Sequence, residues 1–178
     1  DLKADVIAKC TDAAKRYGYD SLKFERGDIA EYDANAPADM VVTLHACDTA
    51  TDYALHNAIC RGARMILSVP CCQHELNGQI ASDRLRLITR YGIIKERFAA
   101  LMTDAIRANL LESRGYKTQV LEFVDLSHTP KNLLIRAIKK RPALDNAGRI
   151  ALDEAKALME EFSLEPTLYS LLYPHSAD

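Results

Sequence analysis

The sequence has no apolar run that approaches the length of a membrane span, and no signal-peptide pattern opens it. It also has no excess of either charge sign, because the formal net charge is −2 over 178 residues. The absence of a long apolar run argues against a transmembrane segment. The near-neutral net charge argues against a positively charged surface that would bind nucleic acid by counterion release. Hydrophobic residues make up 48% and charged residues 27%, which is typical of a globular domain with a sizeable core.

A local concentration of basic residues near residue 140 is the exception to this balance. Its members are Lys131, Arg136, Lys139, Lys140 and Arg141. We interpret most of these charges as the solvated end of a strand. The five cysteines occur without a secretory signal, so we expect reduced thiols and a cytoplasmic location, not a disulfide framework.

Two further features are missing from the chain. It begins at Asp1 without a methionine, and its first residues already have the character of a junction between a strand and a helix. No G-x-G motif of the kind that binds nucleotide phosphates occurs anywhere in it. We therefore expect the sequence to be a fragment of a longer protein.

Two apolar strands, each ending in a polar cluster, dominate what is present. The run from Asp39 to Leu44 leads into His45-Ala46-Cys47-Asp48, and the run from Met65 to Val69 leads into Pro70-Cys71-Cys72-Gln73-His74-Glu75. A helical pattern lies between them, so the three segments predict a βαβ unit with parallel strands. Ligands bind beyond the carboxyl ends of such strands, and both clusters are predicted to face one crevice there.

The remaining patterns predict an α/β fold with the order α-β-β-α-β-α-β-β-α. The sheet is expected to be mostly parallel, with an antiparallel hairpin at one edge. Helices are predicted at 2–17, at 83–114 with a break near Tyr91-Gly92, and at 150–162. Strands are predicted at 22–26, 118–124 and 132–138, and a turn at 125–131.

The two strand-end clusters resemble a branch of the class I S-adenosylmethionine-dependent methyltransferases. That branch has an H-x-C-(G/D) motif followed by T-D-x-A-L, matched by 45–48 and 51–55, and a C-C-x-H motif, matched by 71–74. It includes the methyltransferase domain of a glutathione-transferase-like protein and is similar to certain tRNA methyltransferases. The resemblance implies a Rossmann-like sheet without its first strand and glycine-rich turn. Residues 1–140 would be the carboxyl-terminal part of a methyltransferase domain, and 141–178 a helical extension.

The resemblance also implies a cofactor, S-adenosyl-L-methionine, and the residues that bind it. Asp1 would accept hydrogen bonds from the ribose hydroxyls, Asp28 would meet the adenine amino group, and Ile29 would lie against the ring. His45 would lie beside the same molecule. Because the glycine-rich turn is missing, we expect this chain alone to bind the cofactor poorly and to be inactive.

Methyl transfer requires alignment of the acceptor with the methyl group and removal of a proton or of water from the acceptor. We take His45 as a base or orienting group, Asp48 as a holder of an acceptor amine, and Cys47 as a nucleophile or pocket wall. Cys72 and His74 complete the candidate catalytic set. RNA is the candidate methyl acceptor. A histidine bonded to a backbone carbonyl is the structural alternative for His45.

The same residues allow a second hypothesis, a catalytically silent α/β binding or assembly module with a Cys/His metal site. His45, Cys47, Cys72 and His74 offer donors that suit zinc. Their spacing is not that of a zinc finger or ribbon, so we expect no metal. Adjacent cysteines on an extended strand point to opposite faces, so at most one of Cys71 and Cys72 is expected to reach the crevice.

Overall fold

The computed structural model of the protein describes residues 2–32, 36–44, 46–124 and 132–174. It divides into two compact units, Asp1–Ala34 and Asn35–Asp178. Asp1, His45 and the predicted turn at 125–131 lie outside the described residues.

The first unit contains one helix, α1 (Ala4–Arg16), within its described residues. Gly18 ends it with a φ of +75°, a left-handed conformation that glycine adopts at low cost. The predicted strand at 22–26 is wrong, because these residues are irregular. A strand needs a hydrogen-bonded partner, and the described part of this unit offers no second strand.

The second unit is built on a four-stranded sheet. Its strands are β1 (Met40–Leu44), β2 (Met65–Val69), β3 (Tyr116–Glu122) and β4 (Leu133–Lys139), in the order β1-β2-β4-β3. β1 and β2 pair in parallel, and β4 runs antiparallel to both of its neighbours. The predicted parallel pair of the βαβ unit and the predicted antiparallel pair of strands at one edge, β3 with β4, are confirmed.

Helices cover one face of this sheet. They are α2 (Thr49–Cys60), α3 (His74–Gln79), α4 (Arg86–Thr89), α5 (Gly92–Ser113), α6 (Asn146–Phe162) and α7 (Thr167–Leu172). Leu55 of α2, Ile106 of α5 and Leu168 of α7 join Ile66 and Ile135 of the sheet in a single buried cluster. None of the helices in the described ranges is both long and apolar enough to cross a bilayer.

Side chains on the other face of β1 are much more exposed. Met40, Val42 and Leu44 are 54%, 51% and 60% exposed, whereas Thr43 between them is buried. The difference follows from the alternation of side chains along a strand, since successive residues point to opposite faces.

The helical segments differ from prediction mainly at their boundaries. The predicted break near Tyr91-Gly92 is confirmed, because α4 ends at Thr89 and α5 begins at Gly92. α6 begins four residues before the predicted helix, since the Asp145 side chain accepts a hydrogen bond from the Gly148 amide and caps it. The short helices α3 and α7 were not predicted, because six residues are too few to show a period.

Candidate functional site

The site lies where β1 and β2 end side by side. Leu44 is paired with Val69 in the parallel register, so the two following loops leave the sheet at the same edge. The Asp48 amide donates to the Cys72 carbonyl at 3.1 Å, and the Glu75 amide donates to Asp48 Oδ1 at 3.0 Å. These two hydrogen bonds bring together the two polar clusters that the sequence contains.

Asp48 has an unusual backbone conformation, with φ of 53° and ψ of −126°. Positive φ costs a residue other than glycine about 1–3 kcal/mol and persists where the surroundings hold it in place. Here the Asp48 carbonyl accepts hydrogen bonds from the Thr51 amide and from Arg107, in addition to the two bonds to the second loop. Such held, strained residues concentrate at functional sites.

A network of buried charged side chains is hydrogen-bonded to the two loops. Arg107 of α5 is 2% exposed and donates to both carboxylate oxygens of Asp52, at 2.9 and 2.6 Å, and to Asp104 at 3.2 Å. Burial acts to lower the pKa of Arg107, but the hydrogen bonds and charge of Asp52 outweigh it, so that the pKa is raised. Arg107 also reaches the Asp48 carbonyl, and it therefore ties α2 and α5 to the loop after β1.

Asp104 extends this network to the loop after β2. Its Oδ2 accepts from the Gln73 side chain at 3.1 Å. Burial raises the pKa of Asp104, and the adjacent charge and hydrogen bonds of Arg107 act against that rise. Thr103, next to it, donates to the Ala99 carbonyl within α5. Both side chains are thus structural, and Asp104 fixes Gln73 beside the candidate site.

Three thiols meet between the two loops. The sulfur atoms of Cys47, Cys71 and Cys72 all lie within 4.8 Å of one another, and those of Cys47 and Cys71 are 2.9 Å apart. The prediction that at most one of Cys71 and Cys72 faces this place is wrong. β2 ends at Val69, so the two residues lie in an irregular loop to which strand alternation does not apply. Burial, with hydrogen bonds to the other two thiols, raises the pKa of Cys71 to about 12.

The other predicted site residues are distributed more widely. His74 begins α3 and is exposed. Asp28 and Ile29 belong to the first unit, where Asp28 Oδ1 accepts from the Ala30 amide at 2.9 Å and Ile29 is half-buried. Asp1 and His45 lie outside the described residues, so their predicted roles remain predictions.

Glu75 belongs to the second polar cluster, but its position in the sequence indicated no role for it. Its carboxylate accepts from the Thr167 amide at 3.1 and 3.2 Å and so fixes the start of α7. Burial raises the pKa of Glu75, although the hydrogen bonds from Thr167 act in the opposite direction. Because the two residues are 92 positions apart, no local pattern could have indicated their contact.

Three of the basic residues near position 140 have partners within the described part of the protein. Arg141 pairs with Glu112 at 3.5 Å and with Asp145 at 3.3 Å. Arg136 donates to Gln119, and Lys139 to the Arg114 carbonyl. These side chains stabilise the sheet end and its junction with α6, which favours a structural role over a nucleic-acid-binding patch.

Comparison with known proteins supports a class of reaction for this site. Residues 1–79 match a family model described as a methyltransferase domain. The matched range includes α1, β1, α2, β2 and the loops that carry Asp48, Cys71 and Cys72. It supports a methyltransferase family and methyl transfer as the class of reaction. No curated protein and no solved structure matches the chain significantly.

Proposed function

We propose that this chain contributes to an S-adenosylmethionine-dependent methyltransferase whose reaction takes place beside the loops that follow β1 and β2. The observation that carries the proposal is Asp48, whose strained backbone is held by both loops at the carboxyl end of a parallel strand pair. This is the position where open α/β sheets bind ligands. The family match over residues 1–79 supports the class of reaction.

Asp28 and Ile29 of the first unit are proposed to contact the adenine of the cofactor. The adenine amino group requires a hydrogen-bond acceptor, and Asp28 is an exposed carboxylate with one oxygen bonded to the Ala30 amide. A carboxylate offers about four acceptor positions, so capacity remains after that bond. Ile29 supplies an apolar surface for a planar ring. When bound, S-adenosyl-L-methionine supplies an electrophilic methyl group on a positively charged sulfur.

Asp48 is proposed to orient the methyl acceptor. Its Oδ1 is fixed by the Glu75 amide, which sets the plane of the carboxylate, and the remaining acceptor capacity can hold an N–H or O–H of the substrate. A group held in this way reduces the loss of orientational freedom in the transition state. His45 is proposed as the base of the same loop, and Cys47, Cys72 and His74 as walls of the acceptor pocket.

RNA is the acceptor class that we propose, on the basis of the motif resemblance at 45–48 and 71–74. The basic residues near position 140 add no support, since Arg141 and Lys139 are engaged within the protein. We propose that the contacts with RNA come from the loops themselves, through pocket shape and base-edge hydrogen bonds.

The test has two parts, cofactor binding and methyl transfer. Isothermal titration calorimetry of the full-length protein with S-adenosyl-L-methionine and with its demethylated product measures binding. Incubation with radiolabelled S-adenosyl-L-methionine and total RNA, or total protein, then identifies the acceptor class. We expect label in RNA, and less label with Asp48→Asn. Label in protein alone would refute the RNA proposal, and no cofactor binding by the intact protein would refute the methyltransferase proposal.

A further inference from the structure

The thiol cluster has the composition of a metal site. Cys47 comes from the loop after β1, and Cys71 and Cys72 come from the loop after β2, so three sulfur donors from two loops converge within 4.8 Å. The other two described cysteines, Cys10 and Cys60, are not part of this group. The convergence therefore belongs to this one place and is not a general property of the cysteines.

The distances are close to those that a soft divalent ion imposes. With Zn–S bonds of about 2.3 Å in a tetrahedral site, thiolate sulfurs lie roughly 3.8 Å apart. The Cys47 and Cys71 sulfurs are 2.9 Å apart, and every pair of sulfurs in the group lies within 4.8 Å. An increase of about 1 Å in the Cys47–Cys71 separation would reach the tetrahedral value, and side-chain rotation supplies movements of that size.

The two loops are already connected without a metal ion. The hydrogen bond from the Asp48 amide to the Cys72 carbonyl fixes the chain next to Cys47 against the chain at Cys72. The Glu75 amide bonds the Asp48 carboxylate, and Gln73 is bonded to buried Asp104. Because these contacts order the backbone on both sides of the thiols, little ordering remains to be done when an ion binds.

We infer that Cys47, Cys71 and Cys72 together bind one Zn²⁺ ion, or another soft divalent ion such as Cd²⁺, as three thiolate ligands. Each thiol loses its proton to solvent when its sulfur coordinates. Cys47 is exposed and the other two are half-buried, so the ion would be reached from solvent and its fourth position would hold water or a ligand from solution. This inference does not depend on the proposed methyl transfer.

The inference replaces an expectation based on spacing alone. The sequence separates Cys47 from Cys71 by 24 positions, which is not the spacing of a zinc ribbon or finger. The inferred ligands also differ from the set that the sequence suggested, which was His45, Cys47, Cys72 and His74. Cys71 supplies the third sulfur, and exposed His74 is not among the grouped ligand atoms.

Cadmium is the probe that tests the site directly. The chain is reduced, freed of metal and titrated with Cd²⁺, and the ultraviolet charge-transfer absorption of cadmium thiolates is followed. We expect saturation at one ion per chain, and we expect Cd²⁺ to displace Zn²⁺ from protein that was first loaded with Zn²⁺. Cys71→Ser and Cys47→Ser should each lower the absorption by roughly one third and weaken binding by more than the 10–100-fold typical of losing an outer-shell partner.

Cys60→Ser is the matched control. Cys60 is an exposed cysteine whose sulfur lies 3.5 Å from His56 Nε2, so it tests whether an exposed Cys/His pair accounts for the signal. It should bind Cd²⁺ as the unaltered chain does, and circular dichroism should show the same fold for all three variants. The inference is overturned if the unaltered chain does not saturate at one ion, if Cys71→Ser binds with unchanged affinity, or if Cys60→Ser loses binding instead.

Discussion

At the scale of single residues, Asp48 is the feature that most clearly separates the candidate site from its surroundings. It combines a positive φ, a carboxylate bonded to the facing loop and a carbonyl bonded to buried Arg107. Its strain is local, while the residues that hold it belong to α2, α3 and α5 and the loops beside them.

A kinetic comparison tests the role proposed for Asp48. Asp48→Asn keeps an oxygen for the Glu75 amide, and Asn tolerates positive φ, so the loop should survive while the charge is lost. In the full-length protein, we expect Asp48→Asn and His45→Ala to lower single-turnover rates by ~10²–10⁴-fold, since both act on the acceptor in the transition state. Cys72→Ala and His74→Ala should chiefly raise KM. If Asp48→Asn and His45→Ala keep near-normal turnover while Cys72→Ala or His74→Ala is inactive, the roles assigned to the two clusters are wrong.

A second residue-scale prediction concerns Gly115, which ends α5. Its φ is +88°, and a Cβ there would lie 2.2 Å from the Arg141 carbonyl oxygen and 2.8 Å from that of Pro142. Gly115→Ala should therefore lower the free energy of unfolding by more than the ~1–2 kcal/mol of the left-handed conformation alone. Gly78→Ala, in α3 with open space around it, should instead stabilise by about 0.4–1 kcal/mol. Urea denaturation of both variants measures the difference.

At the scale of elements, the ion network connects helices that are far apart in the sequence. Arg107 of α5 holds Asp52 of α2 and the loop that follows β1, and Asp104 holds Gln73 in the loop that follows β2. The helices that cover the sheet thus also position the loops at its edge.

Removing one partner of this network should be costly. Asp52→Ala leaves the Arg107 charge buried with part of its partners missing, so we expect a loss of about 3–5 kcal/mol in the free energy of unfolding. The exposed pair of Arg84 with Glu161, with side chains 83% and 51% exposed, provides the control. Glu161→Ala should change stability by no more than about 1 kcal/mol. If Asp52→Ala and Glu161→Ala lose similar amounts of stability, the buried network contributes no more to the free energy of unfolding than an exposed ion pair does.

The contact between α3 and α7 predicts a pH dependence. The pKa of Glu75 is raised above its ordinary 4.5, chiefly by burial, so the folded state holds this proton more tightly than the unfolded chain does. The Glu75 contribution to stability is therefore most favourable below pH 4.5 and declines as pH rises through the raised folded value. Glu75→Gln removes the titrating group and keeps an acceptor for the Thr167 amide.

Thermal or urea unfolding of Glu75→Gln and the unaltered chain between pH 4 and pH 7 checks this sign. The variant should gain stability relative to the unaltered chain as pH increases. Glu165→Gln, a change at an exposed carboxyl nearby, should show no such trend. If the difference in stability between Glu75→Gln and the unaltered chain is constant across this pH range, burial does not raise the pKa of Glu75.

At the scale of the whole molecule, the sequence by itself determined the parts of the fold that repeat over many residues. The apolar runs that became β1 and β2, the helix between them and the break before Gly92 follow from periodicity and from glycine, which are local properties. In the strand order, β4 lies between β2 and β3, and the antiparallel pair of β4 with β3 forms one edge of the sheet, as predicted.

Only the tertiary structure decided which side chains of the two clusters meet. Sequence placed Cys47 and Cys71 at two strand ends, but the irregular loop after Val69 turned both Cys71 and Cys72 toward Cys47. The Arg107 network and the Glu75–Thr167 contact join positions 55 and 92 residues apart. Local pattern carries no information about such pairs, because their energies come from burial and from partners that only the folded chain brings within hydrogen-bonding distance.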